Sequence, residues 1–266
     1  MDLGLAGRAC AVTGASRGIG REVARRLCEE GASVLMVARS EGPLEDAVAE
    51  AGGGSGEAAA LALDVTEPNA GERIAATAAE RFGRLDVLVN NAGTARWRSL
   101  DEVPDADWQA AWEVNVMAPL RAMRAAIPGM RERGWGRIVN VASTAGKRPS
   151  AMMPEYSVAK AAELSLSRLV ADLYAKDGVA VNAVCPGPTK SDLWMDPGGL
   201  LDQSRQTAGN ESREEAIEAS GAKRPIGRMA EVGEVAGTIV FLCSEAASYV
   251  SGAAWSVDGG TVQVII

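Results

Sequence analysis

An apolar run at 8–13 meets a run at 19–30 through Thr13-Gly14-Ala15-Ser16-Arg17-Gly18-Ile19-Gly20. The first run reads as a buried strand. The second places Ile19, Val23 and Leu27 on one face of a helix. Glycines are needed where backbone must turn tightly or come close to a ligand. The helix start then offers free N–H groups and a partial positive charge, which suit a pyrophosphate. The spacing is GxxxGxG rather than the GxGxxG of the common dinucleotide fingerprint. Taken alone, the turn also fits a plain strand–helix connection. What it fixes is the order strand, tight turn, helix.

That order repeats. Further strands are expected at 33–38, 58–63, 85–90, 136–142, 179–185 and 253–257. Helices are expected at 44–51, 70–82, 155–176 and 232–243, with a long helical region at 105–133 bent near Pro119. Gly31 is a fitting helix stop, and residues 52–56 read as a Gly/Ser-rich connector. Apolar strands alternating with helices predict an α/β fold: one Rossmann-type domain over 1–266, a doubly wound parallel sheet flanked by helices on both faces. No linker divides the chain. The stretch 189–224 breaks the rhythm, being polar and irregular with one short helix at 212–219. Such an insertion after a strand's C-terminal end is expected to be a substrate lid.

Several chemistries are excluded by composition. The chain contains no histidine, so a Ser-His-Asp or Cys-His nucleophile is ruled out, and a zinc site is not expected. Cys10, Cys28, Cys185 and Cys243 lie far apart in apolar contexts and read as reduced core residues, Cys185 included. A net charge of −8 disfavours nucleic acid and leaves no polybasic membrane patch. No run is long enough to span a bilayer, and the start of the chain does not read as a signal peptide. A soluble cytoplasmic protein is the expectation.

The second strand of a dinucleotide fold ends beside the adenosine ribose, where an acid selects the free 2′-hydroxyl. Here that end reads Val37-Ala38-Arg39-Ser40, with no acid. Arg39, with Arg17 reaching from the glycine turn, suits a 2′-phosphate, since guanidinium binds phosphate in a bidentate manner. The expected cofactor is NADP(H). Tyr156 and Lys160 share one face of a predicted helix, and Ser143 lies just past the fifth strand, where open α/β sheets bind ligands. An ammonium beside a phenol favours the phenolate, which gives a usable acid or base in a chain without histidine.

Together these features resemble the short-chain dehydrogenase/reductase family over nearly the whole chain. TGASRGIG resembles its cofactor turn, with Gly14, Ser16, Arg17, Gly18, Ile19 and Gly20 the expected contacts. Asn90-Asn91-Ala92-Gly93 resembles its NNAG motif, Pro186-Gly187 its PG turn, and Val257-Asp258-Gly259-Gly260 its C-terminal signature. Asn115, Ser143, Tyr156 and Lys160 match its catalytic tetrad. The resemblance implies that Tyr156 donates a proton to a carbonyl oxygen, that Ser143 hydrogen-bonds that oxygen, that Lys160 holds the nicotinamide ribose, and that Asn115 holds a relay water. It further implies that Asp64 and Val65 contact adenine, that Asn90 and Gly93 line the adenosine side, and that Thr189 and Ser191 meet the carboxamide. Asn91 reads as a structural link between strands.

The overall look is similar to 3-oxoacyl-[acyl-carrier-protein] reductases. The expected reaction is reduction of a ketone, with a 3-oxoacyl thioester as a candidate substrate; the alternative is an alcohol, polyol or secondary-metabolite dehydrogenase running oxidatively. Residues 94–97, 144–153 and 194–195 are candidate pocket walls, with Met152, Met153, Trp194 and Met195 either meeting an apolar substrate or packing the lid. Arg96, Arg98, Lys147 and Arg148 either receive an acidic carrier or phosphate-bearing thioester or are simply solvated. The resemblance implies a homotetramer, and the apolar end at 262–266 is expected to pack at a subunit interface.

Overall fold

The structure is a computed structural model, and residues 2–263 are described. Strands β1 (Ala9–Thr13), β2 (Ser33–Ala38), β3 (Ala58–Ala62), β4 (Val87–Asn90), β5 (Gly136–Val141), β6 (Val179–Pro186) and β7 (Ala254–Val257) form one seven-stranded sheet in the order β3-β2-β1-β4-β5-β6-β7. Each neighbouring pair is parallel. The order reverses between β1 and β4, which opens a crevice at the strands' C-terminal ends.

Side chains alternate across the strands and feed two cores. On one face Cys10, Val12, Val34, Met36, Val87 and Val89 pack with helices α1 (Gly18–Glu29), α2 (Glu41–Ala51) and α11 (Val232–Cys243). On the other Ala11, Leu35, Val37, Leu88, Ile138 and Val181 pack with α3 (Ala70–Phe82), α5 (Ala118–Glu132) and α7 (Pro154–Tyr174). All four cysteines are buried and unbonded.

Two expectations change. The region read as one long helix is α4 (Asp105–Trp112), a π-helical turn Glu113–Met117, and α5. The irregularity precedes Pro119, which sits in the first turn of α5. Proline has no N–H to return to the carbonyl of Asn115, one turn earlier, and the ladder shifts to a wider spacing in which Ala118 N–H reaches Glu113 O. The 189–224 stretch is more helical than its polarity suggests. It holds α8 (Asp192–Met195), α9 (Leu200–Ala208) and α10 (Arg213–Ala222), of which only α10 was anticipated. A short α6 (Thr144–Lys147) follows β5. Of the expected interface tail, residues 264–266 lie outside the described residues.

Among the described residues, no helix is long and apolar enough to cross a membrane.

Candidate active site

A cavity of about 930 Å³ lies along the C-terminal ends of the strands and is roofed by the 189–224 segment. Its floor begins at the glycine turn. Gly14 and Gly18 adopt left-handed φ values of +65° and +57°. A Cβ on Gly14 would stand 2.9 Å from the Ala92 Cα, so only glycine lets β1 and the loop after β4 come this close. Gly20 is needed for packing: its Cβ would meet both the Gly14 carbonyl oxygen and the Asn91 side chain at 2.4 Å. It does not line the cavity, whereas Gly14, Ser16, Arg17, Gly18 and Ile19 do.

Thr13 and Asn91 stitch this floor together. Thr13 Oγ1 accepts from the Asn91 and Ala92 amides, each at 3.0 Å. Asn91 Nδ2 donates to the Thr13 carbonyl at 2.9 Å. Asn91 is thus the strand link the sequence suggested, although its edge also faces the cavity. Asn90 sits elsewhere than expected. It is buried and donates to Asn140 Oδ1 at 2.8 Å, while Asn140 donates to Ser167 Oγ at 2.8 Å. This polar chain joins β4, β5 and α7 behind the cavity, whose wall does not include Asn90.

Arg39, Asp64, Val65 and Gly93 line the same cavity. Arg39 is exposed, with its guanidinium 3.9 Å from the Asp64 carboxylate. Burial raises the Asp64 carboxyl, but hydrogen bonds from the Thr66 amide and hydroxyl outweigh it, and the group stays below its ordinary range. Arg17 bonds Asp196 of the roof at 2.6 Å. Pro186, Gly187, Thr189 and Ser191 form the far wall, with the Thr189 hydroxyl donating to the Gly187 carbonyl at 3.0 Å.

Ser143, Tyr156 and Lys160 all line this cavity. Ser143 caps α6, its Oγ accepting from the Ala145 amide at 3.1 Å, so its hydroxyl hydrogen remains free to be donated. Tyr156 is half-buried. Lys160 is buried, with Nζ 5.7 Å from the Tyr156 ring centre, and donates to the Val141 carbonyl and to Glu163, each at 2.8 Å. Burial alone would lower the Lys160 ammonium. The charges of Glu163 and Tyr156 more than offset this, and its pKa lies above the ordinary lysine value. Burial conversely raises Glu163.

Asn115 stands in the π-helical turn behind this group. Its Nδ2 donates to the Ala111 carbonyl at 2.9 Å, and its buried Oδ1 has no partner. A Cβ on Gly93 would lie 3.1 Å from that oxygen and 3.8 Å from Lys160 Nζ. The missing side chain at Gly93 therefore leaves a polar path between cavity, Asn115 and Lys160. Cys185 is a core thiol that burial pushes up to about 11, which disfavours a thiolate at neutral pH.

Of the candidate substrate walls, Thr94, Ala95, Trp97, Met153 and Trp194 face the cavity, while Met152 and Met195 do not line it. Arg98 is engaged by Asp107 at 2.5 Å and Glu155 at 3.1 Å, and Arg96 lies 3.7 Å from Asp107. Lys147 donates to the Ala254 carbonyl at 2.6 Å. Only Arg148 of that quartet lines the cavity. Sequence reasoning missed Glu163 and Arg224. Glu163 was detectable as an acid one turn beyond Lys160 in a helix otherwise lined there by alanine and leucine.

A layered parallel sheet, a glycine turn at its switch point and a Ser, Tyr and Lys group beside it define a nucleotide-dependent oxidoreductase. The chain belongs to the short-chain dehydrogenase family, whose model, described as short chain dehydrogenase, matches residues 8–198. It is 35% identical over 270 residues to an uncharacterized oxidoreductase, YvrD, of Bacillus subtilis, covering 99% of each chain. It is 34% identical over 265 residues to the 3-oxoacyl-[acyl-carrier-protein] reductase FabG of Vibrio cholerae, covering 98% of this chain and all of that one (100%). In three dimensions it matches L-sorbose reductase from Gluconobacter frateurii, complexed with NADPH and L-sorbose, with a TM-score of 0.92 and 33% identity over 100% of both chains.

Proposed function

We propose that this enzyme uses NADP(H) to reduce a ketone to a secondary alcohol, with 3-oxoacyl thioesters among the candidate substrates. The observation that carries the reading is the buried, charged Lys160 beside Tyr156, on the same cavity wall as Ser143.

The cavity fits the dinucleotide. Left-handed glycines open the start of α1, which has no side-chain cap and so leaves its amides for a pyrophosphate. Arg39 and Arg17, both on the cavity wall, would take a 2′-phosphate, and Asp64, 3.9 Å from Arg39, would with Val65 meet the adenine. NADP(H), when bound, supplies the hydride. Tyr156 gives its hydroxyl proton to the carbonyl oxygen, and Ser143 donates its free hydroxyl hydrogen to the same oxygen and stabilises the developing charge. Lys160 holds the ribose hydroxyls and keeps a positive charge next to Tyr156. Asn115, through a water, connects Lys160 to solvent.

The 189–224 segment acts as the lid of this single catalytic domain. The apolar residues Val158, Leu169 and Leu173 on α7 are exposed, which supports a subunit contact of the homotetramer that the family resemblance implies.

The test is NADPH consumption, with NADH in parallel, against thioesters, simple ketones, diketones and ketoses. Wild-type turnover with NADPH should fall about 10²–10⁴-fold in Tyr156→Phe. Full activity in that variant would remove the proton-donor assignment. Turnover of ketoses but not thioesters would keep the mechanism and move the substrate.

A further inference from the structure

The charged groups of the cavity fall into two sets. Around the glycine turn, cation and carboxylate are matched, Arg17 with Asp196 and Arg39 with Asp64. Besides these, the wall has Asp192, beside Gly18, and, Lys160 aside, three further cations, Arg148, Lys223 and Arg224. Among the described residues none of these three is in an ion pair, although the chain has 35 acids against 27 bases.

Arg224 is the informative member. It follows α10, and its Nη1 bonds the Ser220 carbonyl near the end of that helix. Its Nε is buried without a partner. Asp258, whose charge acts on Arg224 from a distance, spends its carboxylate on the Gly260 and Val262 amides at 3.0 and 2.8 Å. Burial pulls the guanidinium below its ordinary pKa, with Asp258 only partly opposing this. A half-buried guanidinium with no counter-ion carries an uncompensated desolvation cost. The Ser220 carbonyl and hydroxyl both take Nη1, while Nη2 has no hydrogen-bond partner among the described residues, which leaves that end of the planar group for another acceptor.

We propose that Arg224, with Arg148 and Lys223, binds an oxyanion of the substrate, so that the enzyme acts on carbonyl compounds bearing their own carboxylate or phosphate. This rests on the reductase reading of the same cavity and narrows it. The anion is held at the lid end of the cavity while the ketone lies at Ser143 and Tyr156. Specificity follows from the unmet donors: a neutral analogue leaves Arg224 unpaired, and it is discriminated against more strongly than by a missing methylene.

The experiment separates anion binding from turnover. The protein is saturated with NADP⁺, which fills the phosphate sites near Arg17 and Arg39. Butyrate, butyl phosphate and butyramide are then titrated by ligand-observed NMR and calorimetry. Both anions should bind about tenfold or more tightly than the amide, as a charge-assisted hydrogen bond requires. That preference should vanish in Arg224→Gln, persist in part in Arg224→Lys and weaken as salt rises. The relative affinity of butyrate and butyl phosphate says which anion the site favours. Equal binding of anion and amide by the wild type, or an unchanged preference in a folded Arg224→Gln, overturns the proposal. If Arg224→Gln does not fold, Arg148→Gln and Lys223→Gln, each expected to weaken the anions alone, take its place. Levulinate and methyl levulinate then test turnover. An Arg224-dependent anion site in a protein that reduces no ketone would leave the site standing and sink the reductase reading. Reduction of both compounds with equal kcat/KM would keep the reductase and overturn the anion site.

Discussion

Lys160 donates to Glu163 at 2.8 Å, and the two side chains are 3% and 1% exposed. The pair lies one turn apart on α7, and Lys160 has no other carboxylate partner among the described residues. Glu163 therefore holds the charge of the lysine that the proposed mechanism sets beside Tyr156. In Glu163→Gln the counter-charge disappears, burial prevails, and the Lys160 pKa falls. A lysine whose folded pKa is raised contributes stability that is present below its ordinary value and is lost as pH rises through the folded value. With burial prevailing the sign reverses: the ammonium now costs stability, the variant's stability rises with pH through the window between the lowered and the ordinary lysine pKa, and Lys160 loses its proton at lower pH. The alkaline limb of the kcat profile should move the same way, with Glu163→Asp restoring part of it. An unshifted limb in a folded, active variant would deny Glu163 this role. Glu163→Leu strands the buried ammonium and should cost about 3–5 kcal/mol in denaturant unfolding.

Arg39 sets the second expectation. It is 78% exposed and only loosely held by Asp64, so it can turn to a 2′-phosphate without breaking a strong pair. Arg39→Ala should raise the KM for NADPH about 10–100-fold, the worth of a charged hydrogen bond, and leave the KM for NADH nearly unchanged. Parallel kinetics with both cofactors measure this. An equal rise for both would place Arg39 outside 2′-phosphate recognition.

What could be read from the sequence follows from where the information is local. β2, α3 and α11 fall where the sequence puts them, because β2 is continuously apolar, α3 stops at a left-handed Gly83, and α11 opens on a capping box of Glu231 and Glu234. Tyr156 and Lys160 are visible because one helical turn fixes their common face. Asn90 misled, because its partner Asn140 lies on the neighbouring strand and nothing local distinguishes a buried amide link from a ligand contact. The π-helical turn was hidden for a related reason: Pro119 announces a missing N–H, but the carbonyl it deprives belongs to Asn115, a turn earlier. α8 and α9 were missed because their polar sequence is ordered by the body beneath, with Leu200 and Leu201 anchoring α9.

The exposed face of α7 gives a third expectation. Leu169 and Leu173 are 56% and 59% exposed and lie one turn apart, an arrangement costly in water unless another surface covers it. Light scattering should find an oligomer for the wild type and a smaller species for Leu169→Asp/Leu173→Asp. A wild-type monomer, or a double variant of unchanged mass, would exclude this face as the contact.

Arg17 and Asp196 carry the last. Their 2.6 Å bond ties the roof to the glycine turn, and Asp192 lies close enough that a Cβ on Gly18 would stand 3.2 Å from its carboxylate. Both lid acids thus occupy ground near the start of α1 that a pyrophosphate would also seek. Binding of the dinucleotide then requires Arg17 to exchange a carboxylate for a phosphate and the lid to shift. Because the pair is more than half exposed on the arginine side, its own strength is small. Asp196→Asn should accordingly tighten NADPH binding only a few-fold, by no more than the roughly fivefold that an exposed ion pair supports, and should weaken the salt dependence of the association rate. Trp194, between the two acids and on the cavity wall, reports the shift through its fluorescence on NADPH addition. Weaker NADPH binding in Asp196→Asn would mean that the carboxylate helps to seat the cofactor rather than compete with it.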